Sequence, residues 1–145
     1  MKLLKNERGQ AMLETAMVLP LILLVSVSIF EFGRAYQTWE VLTNAAREGA
    51  RVAVLPGTTV SDVQTRVVTY MNSGQLANGA TATVDVDRNR TMSIGATTAT
   101  ASLVTVNYPF SFIVLQPVAR LLVSGSTLGG PITMTVSAEM RNEAQ

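Results

Sequence analysis

The sequence contains no cysteine and no histidine. No thiolate nucleophile, imidazole base, disulfide framework or zinc site of ordinary composition can be built from it. Lysine is nearly absent too: Lys2 and Lys5 are the only two and both precede Gly9, so the serine and threonine hydroxyls further on have neither a histidine nor a lysine to activate them. Charged residues make up only 14% and aromatics 6% of 145 positions, and 11 basic against 10 acidic residues leave a formal charge of +1. That balance lacks the basic footprint of a nucleic-acid-binding protein, and no nucleic-acid partner is expected. The length suits one modest domain.

What the sequence does have is one concentrated apolar run. Residues 15–30 are 16 positions without a charge, against roughly 17–25 for a membrane-spanning helix. A helix starting at Gln10 lengthens the run to 21 residues, enough at ~1.5 Å per residue to cross a hydrocarbon core of ~30 Å. The longer run includes Glu14, and a carboxylate within a membrane segment is unfavourable by roughly 2.5–3.5 kcal/mol on insertion scales. Its position calls for a partner or a role. Lys2, Lys5 and Arg8 outnumber Glu7 ahead of the run, which predicts a cytoplasmic N-terminus and an exported remainder. Three readings fit this segment: a secretory signal cut near Ser26-Val27-Ser28, an uncleaved signal-anchor, and a helix processed on its cytoplasmic side. Pro20 removes a backbone hydrogen bond inside the run and predicts a helix kink.

The order Arg8-Gly9-Gln10-Ala11-Met12-Leu13-Glu14 resembles the leader of type IV pilin precursors. The resemblance implies a cut by a prepilin peptidase between Gly9 and Gln10, which leaves the apolar helix on the mature protein with Glu14 as its fifth residue. The new amine of Gln10 is then a cation that Glu14 of a neighbouring subunit can neutralise, giving Glu14 a role in processing or subunit registry. Thr15 stands where an aromatic often follows the glutamate in such leaders. Together with Val18-Leu19-Pro20-Leu21, Glu31-Phe32-Gly33-Arg34 and Leu42-Thr43-Asn44-Ala45-Ala46-Arg47-Glu48-Gly49-Ala50-Arg51, the leader is similar to the TadE family of pseudopilins from tight-adherence (Flp) pilus systems. The similarity covers about the first third of the chain. It implies a minor pilin-like subunit required for pilus assembly and surface adhesion. The implied partners are the prepilin peptidase, other pilin and pseudopilin subunits, the inner-membrane assembly platform and the lipid bilayer. The implied location is the bacterial inner membrane, crossed once, with the C-terminal domain periplasmic or extracellular.

Beyond the span the helical pattern continues. Ala35, Trp39, Leu42, Ala46, Gly49 and Ala53 recur at steps of four and three, a stripe of mostly small residues that lets another element approach closely. Arg34, Gln37, Asn44, Arg47, Glu48 and Arg51 form the opposite, solvated face, where Glu48 and Arg51 are spaced to pair. Trp39 reads equally as a membrane-interface anchor or a core contact. Pro56-Gly57 ends this helix. Thr59 and Asp62 have the spacing of a capping box, and Val60, Val63, Val67 and Tyr70 or Met71 predict a short second helix closing at Ser73-Gly74. After the turn signal Asn78-Gly79 the period changes to two. Ala82, Val84 and Val86, then Val104, Val106 and Tyr108, then Ile132, Met134, Val136, Ala138 and Met140 mark three half-buried strands. Arg88-Asn89-Arg90 reads as a turn between strands. Residues 109–128 mix an apolar run with Pro117, predict a short helix over residues 118–123, and offer a candidate contact surface.

Asp85 and Asp87 share one strand face, which favours a solvated surface over a calcium site, and no metal or cofactor is expected. Asn89-Arg90-Thr91 fits a glycosylation sequon that the bacterial context leaves without use. The expected fold is α+β: a leader over residues 1–9, a long helix over residues 10–56 that spans the membrane over about residues 10–31, and an exported head over residues 57–145. The head holds a short second helix and an antiparallel sheet of about three or four strands. Loss of residues 1–9 leaves eight basic and nine acidic residues. No catalysis is expected. A membrane-anchored exported binding module on an uncleaved signal-anchor is the alternative, and a small exported hydrolase is a third class.

Overall fold

The computed structural model describes residues 7–77 and 79–142. Lys2 and Lys5 of the basic leader, and Asn78 of the expected Asn78-Gly79 turn, lie outside them. The described chain runs α1 (Glu7–Ala53), α2 (Val60–Ser73), a single 3₁₀ turn (Gly79–Thr81), β1 (Thr83–Ile94), β2 (Thr97–Phe110), α3 (Leu115–Leu122) and β3 (Ile132–Arg141). These form two compact units, Met1–Arg34 with Ser111–Gly130, and Ala35–Phe110 with Pro131–Gln145. The fold is α+β.

In the second unit the small-residue stripe of α1 is the buried one. Leu42, Ala45, Ala46, Gly49, Ala50 and Ala53 are shielded. Trp39 is 46% exposed, which corrects the stripe at its start: Thr38, not Trp39, is the buried residue one turn before Leu42. Gly49 explains why the stripe is small. A methyl group there would stand 2.5 Å from Val67 Cγ2 on α2 and 3.2 Å from Val104 Cγ1 on β2, so α1, α2 and the sheet meet at the width of a hydrogen atom. The C-terminal turn of α1 gives way to Gly57, whose positive φ reverses the chain.

The capping box is formed in full. Thr59 Oγ1 accepts from the Asp62 amide at 3.2 Å while the Asp62 carboxylate accepts from the Thr59 amide at 2.8 Å. Asp62 is held below its usual carboxylate range first by that backbone hydrogen bond and then by the Thr59 hydroxyl. Val63, Val67 and Met71 are the buried face of α2, whereas Val60 and Tyr70 of the expected stripe stay exposed.

The three strands form one antiparallel sheet in the order β1-β2-β3. Registration follows the apolar rows: Val106 stands between Val84 and Val136, and Val104 between Val86 and Ala138. Val104, Val106, Tyr108, Met134 and Val136 line the buried side. One expectation fails on β1. Arg88-Asn89-Arg90 is not a turn but a register shift within the strand, between Asp87 and Arg90. The extra residue is held in place by its neighbours: the Asn89 amide donates to Asp87 Oδ1, and the Arg88 guanidinium donates to Thr58 Oγ1 at 2.9 Å. The actual hairpin loop is Gly95-Ala96, joining the pair Ile94↔Thr97, with φ of +61° at Gly95 where a two-residue loop needs it.

The first unit holds the N-terminal part of α1 and the segment carrying α3. Here α1 is unbroken through Pro20. Met12, Leu13, Met17, Leu21, Ile22 and Ile29 are all exposed. Gly9–Ala53 contains the one helix among the described residues that is long and apolar enough to cross a membrane, and none of its most apolar stretch is buried in the protein. The short helix expected over residues 118–123 begins three residues earlier, at Leu115.

Candidate functional site in the N-terminal helix

The chemistry-bearing residues of the first unit fall into two groups, one at each end of the apolar run. At the near end, Gly9 and Gln10 lie within α1, which begins at Glu7, and both are exposed. Glu14 stands one helical turn beyond Gln10. Its carboxylate is exposed and among the described residues has no hydrogen-bond or ion-pair partner. It sits in a shallow apolar groove with Ala11, Thr15, Val18, Leu19 and Ile22.

The hydroxyls nearby behave differently. Thr15 Oγ1 donates to the Ala11 carbonyl at 2.9 Å, Ser26 Oγ to the Ile22 carbonyl at 2.9 Å and Ser28 Oγ to the Leu24 carbonyl at 2.7 Å. Each closes on its own helix four residues back, so none presents an unmet donor to an apolar solvent. Glu14 is the polar side chain of residues 11–30 that its own helix leaves unsatisfied. Pro20, half-buried, adds a structural gap: it has no amide to give the Ala16 carbonyl.

At the far end stands Glu31, fully buried. Its Oε1 accepts the backbone amides of Ile113 at 2.9 Å and Val114 at 2.7 Å, and its Oε2 accepts Arg34 Nη1 at 3.2 Å. Arg34 Nη2 in turn donates to the Ser111 carbonyl at 3.0 Å, and Phe32 meets Phe112 edge-on with ring centres 6.2 Å apart. The carboxylate thereby ties the two residues that lead into α3, Ile113 and the N-cap Val114, to α1 through their backbone amides, just ahead of the first helical turn. Two amides and a guanidinium compensate a carboxylate that would otherwise be costly to bury.

In sequence Glu31 is part of the Glu31-Phe32-Gly33-Arg34 fragment and carries no assigned task. Glu14 and Glu31 thus share a helix and differ in circumstance: one is exposed and without a partner among the described residues, the other buried and triply bonded.

In the second unit Glu48 receives two arginines, Arg51 at 2.7 Å and 2.9 Å from its own helix and Arg66 at 2.7 Å from α2. These hydrogen bonds, that of Arg51 foremost, hold its carboxyl down to about 2. The pairing with Arg51 was expected from spacing; that with Arg66 needed the fold. Asp85 and Asp87 are exposed on β1, and among the described residues no three acidic side chains come together in a group able to hold a metal ion.

Residues 9–51 match the family described as TadE-like protein. The match begins at Gly9, covers Glu14, Pro20, Glu31 and Arg34, and ends at Arg51, so it takes in both carboxylate sites and stops short of the sheet. No curated protein and no solved structure matches the chain.

Proposed function

We propose that this protein is a TadE-like minor pilin: a non-catalytic structural subunit, held in the bacterial inner membrane by α1 with its head exported, cut after Gly9 by a prepilin peptidase and required for assembly of a tight-adherence pilus and for adhesion through it. The observation that carries the reading is Glu14, a carboxylate without a partner among the described residues, on an apolar helix whose hydroxyls close on their own backbone, one turn from the residue that would bear the new amine. In an isolated chain that acid is a cost of roughly 2.5–3.5 kcal/mol in lipid. Beside a second subunit whose Gln10 amine lies at the same depth, the cost is offset by a charge-assisted contact. The carboxylate thereby opposes the lone state and favours the assembled one. The groove beside Glu14 has the apolar lining that a neighbouring helix requires. Pro20 would allow the helix to bend as subunits pack.

Intact mass and N-terminal sequencing of the protein, from cells with and without the prepilin peptidase, test the reading. A start at Gln10 that depends on the peptidase is the expected result. An uncut Met1 in both would replace the reading with a tethered exported module, and a start near Ile29 would indicate ordinary secretion. With Glu14→Gln the processed protein should accumulate in the membrane while pilus assembly is lost; normal assembly by that variant would remove the role given to Glu14.

A further inference from the structure

We propose that α3 and its flanking residues lie in the membrane interface on the exported side, as a second lipid contact besides the spanning part of α1. The inference rests on the reading of α1 as a membrane span, and three observations carry it further.

The first is depth. Glu31 follows Gln10 by 21 residues, a rise of ~32 Å along a helix, which matches a hydrocarbon core of ~30 Å. The end of the uncharged run is therefore the level of the far interface, and the Ile113 and Val114 amides are hydrogen-bonded to the carboxylate at that level. The start of α3 cannot leave it without breaking those bonds.

The second is the surface. Leu115 and Ala119 are the buried side of α3. Pro117 and Leu121, four residues apart, occupy the opposite side, where a helix in water carries polar groups; instead Leu121 is 85% exposed, and Ile113, just before the helix, is 65% exposed. Val123 and Leu128 extend the bare apolar area. The third is charge. Residues 112–123 contain a single charged residue, the exposed Arg120, and it is a cation. Its apolar stem can follow the acyl boundary while the guanidinium reaches lipid phosphate.

A neighbouring subunit is the competing occupant, but a copy that has not yet assembled stands in the bilayer with the same residues bare at the same depth. Lipid covers them from the start. The geometry gives α3 the character of an interfacial helix, its apolar side sunk about 5–10 Å into the headgroup and acyl boundary.

The cysteine-free chain makes the test direct. The full-length protein carries a polarity-sensitive fluorophore on one introduced cysteine, either Met17→Cys on α1 or Leu121→Cys on α3. It is reconstituted in vesicles of phosphatidylethanolamine and phosphatidylglycerol doped with acyl-brominated phosphatidylcholine. Both wild-type side chains are more than 70% exposed, so neither probe disturbs a core. The expected result is quenching of both probes by brominated lipid, at Leu121→Cys most strongly by bromines near the headgroup, with little quenching by aqueous iodide. Ile113→Cys should repeat it. If the Met17→Cys probe is quenched by lipid while the Leu121→Cys probe responds only to iodide, α3 lies in water and the proposal fails with the span intact. If the Leu121→Cys probe responds to neither quencher, protein covers it and the lipid assignment is equally overturned. If lipid bromines reach neither probe, the span itself is lost and the inference with it.

Discussion

Glu31 is a residue whose removal should be felt at a distance in sequence. Glu31→Ala leaves the Ile113 and Val114 amides without their acceptor, and each part-buried hydrogen bond so lost costs about 1 kcal/mol. Amide hydrogen exchange over residues 113–118 of the detergent-solubilised full chain should accelerate, with Glu31→Gln milder because an amide oxygen can still accept. Unchanged exchange in Glu31→Ala would show that these two hydrogen bonds are dispensable. Glu48 predicts a pH dependence of the second unit. Its carboxyl titrates near 2 when folded against 4.5 ordinarily, so its contribution is complete above about pH 4.5 and declines as pH falls toward 2. Both arginines are about half exposed, which reduces that contribution to about 1 kcal/mol after screening. The thermal midpoint should therefore drop on acidification by more in the wild type than in Glu48→Gln. Equal drops would mean that the pair contributes nothing net.

At the scale of elements, the meeting of α1 with α2 and β2 turns on a missing side chain. Gly49→Ala places a methyl group into Val67 and Val104 and should destabilise the second unit by about 1–3 kcal/mol. Gly33→Ala, on the same helix but with nothing within 4 Å of the added carbon, should be neutral or stabilising by up to about 1 kcal/mol. Thermal unfolding of the two variants side by side separates packing from helix propensity, and equal midpoints would contradict the close approach. Elements governed by local chemistry could be read from residues alone. The Thr59 and Asp62 capping box, the alternation at Val104, Val106 and Tyr108, and the Glu48–Arg51 spacing all reappear in the fold because each depends on neighbours in sequence. The misreadings were non-local. Arg88-Asn89-Arg90 has turn-like composition, yet Thr58, thirty residues away, holds Arg88 inside the strand. Trp39 fits a four-and-three step, but one turn before Leu42 the buried residue is Thr38. Likewise Glu31 shows in sequence only as an acid at the end of an apolar run; the amides that donate to it are more than eighty residues on.

For the whole molecule, the apolar length of α1 has a plain consequence. With none of its most apolar stretch buried in the protein, the chain should fractionate with membranes and resist alkaline carbonate, while detergent releases it. Release by carbonate alone would argue against a span. Export also fits the composition: without cysteine the sheet is indifferent to an oxidising compartment, and its cohesion comes from the valine rows and the close helix contact. Of the candidate site, Gly9, Gln10 and Glu14 are legible as a linear string, and the geometry adds that Glu14 has no partner among the described residues.

The register shift in β1 bears on how such a subunit avoids assembling wrongly. A three-stranded sheet has two open edges, and open edges invite strand-to-strand growth into insoluble fibres. The bulge between Asp87 and Arg90 interrupts the flat edge of β1, the Gln64 side chain already occupies the Val84 carbonyl, and Glu139 and Arg141 charge the β3 rim. A chain proposed to assemble through its helix has in this way a sheet that is a poor template for copies of itself.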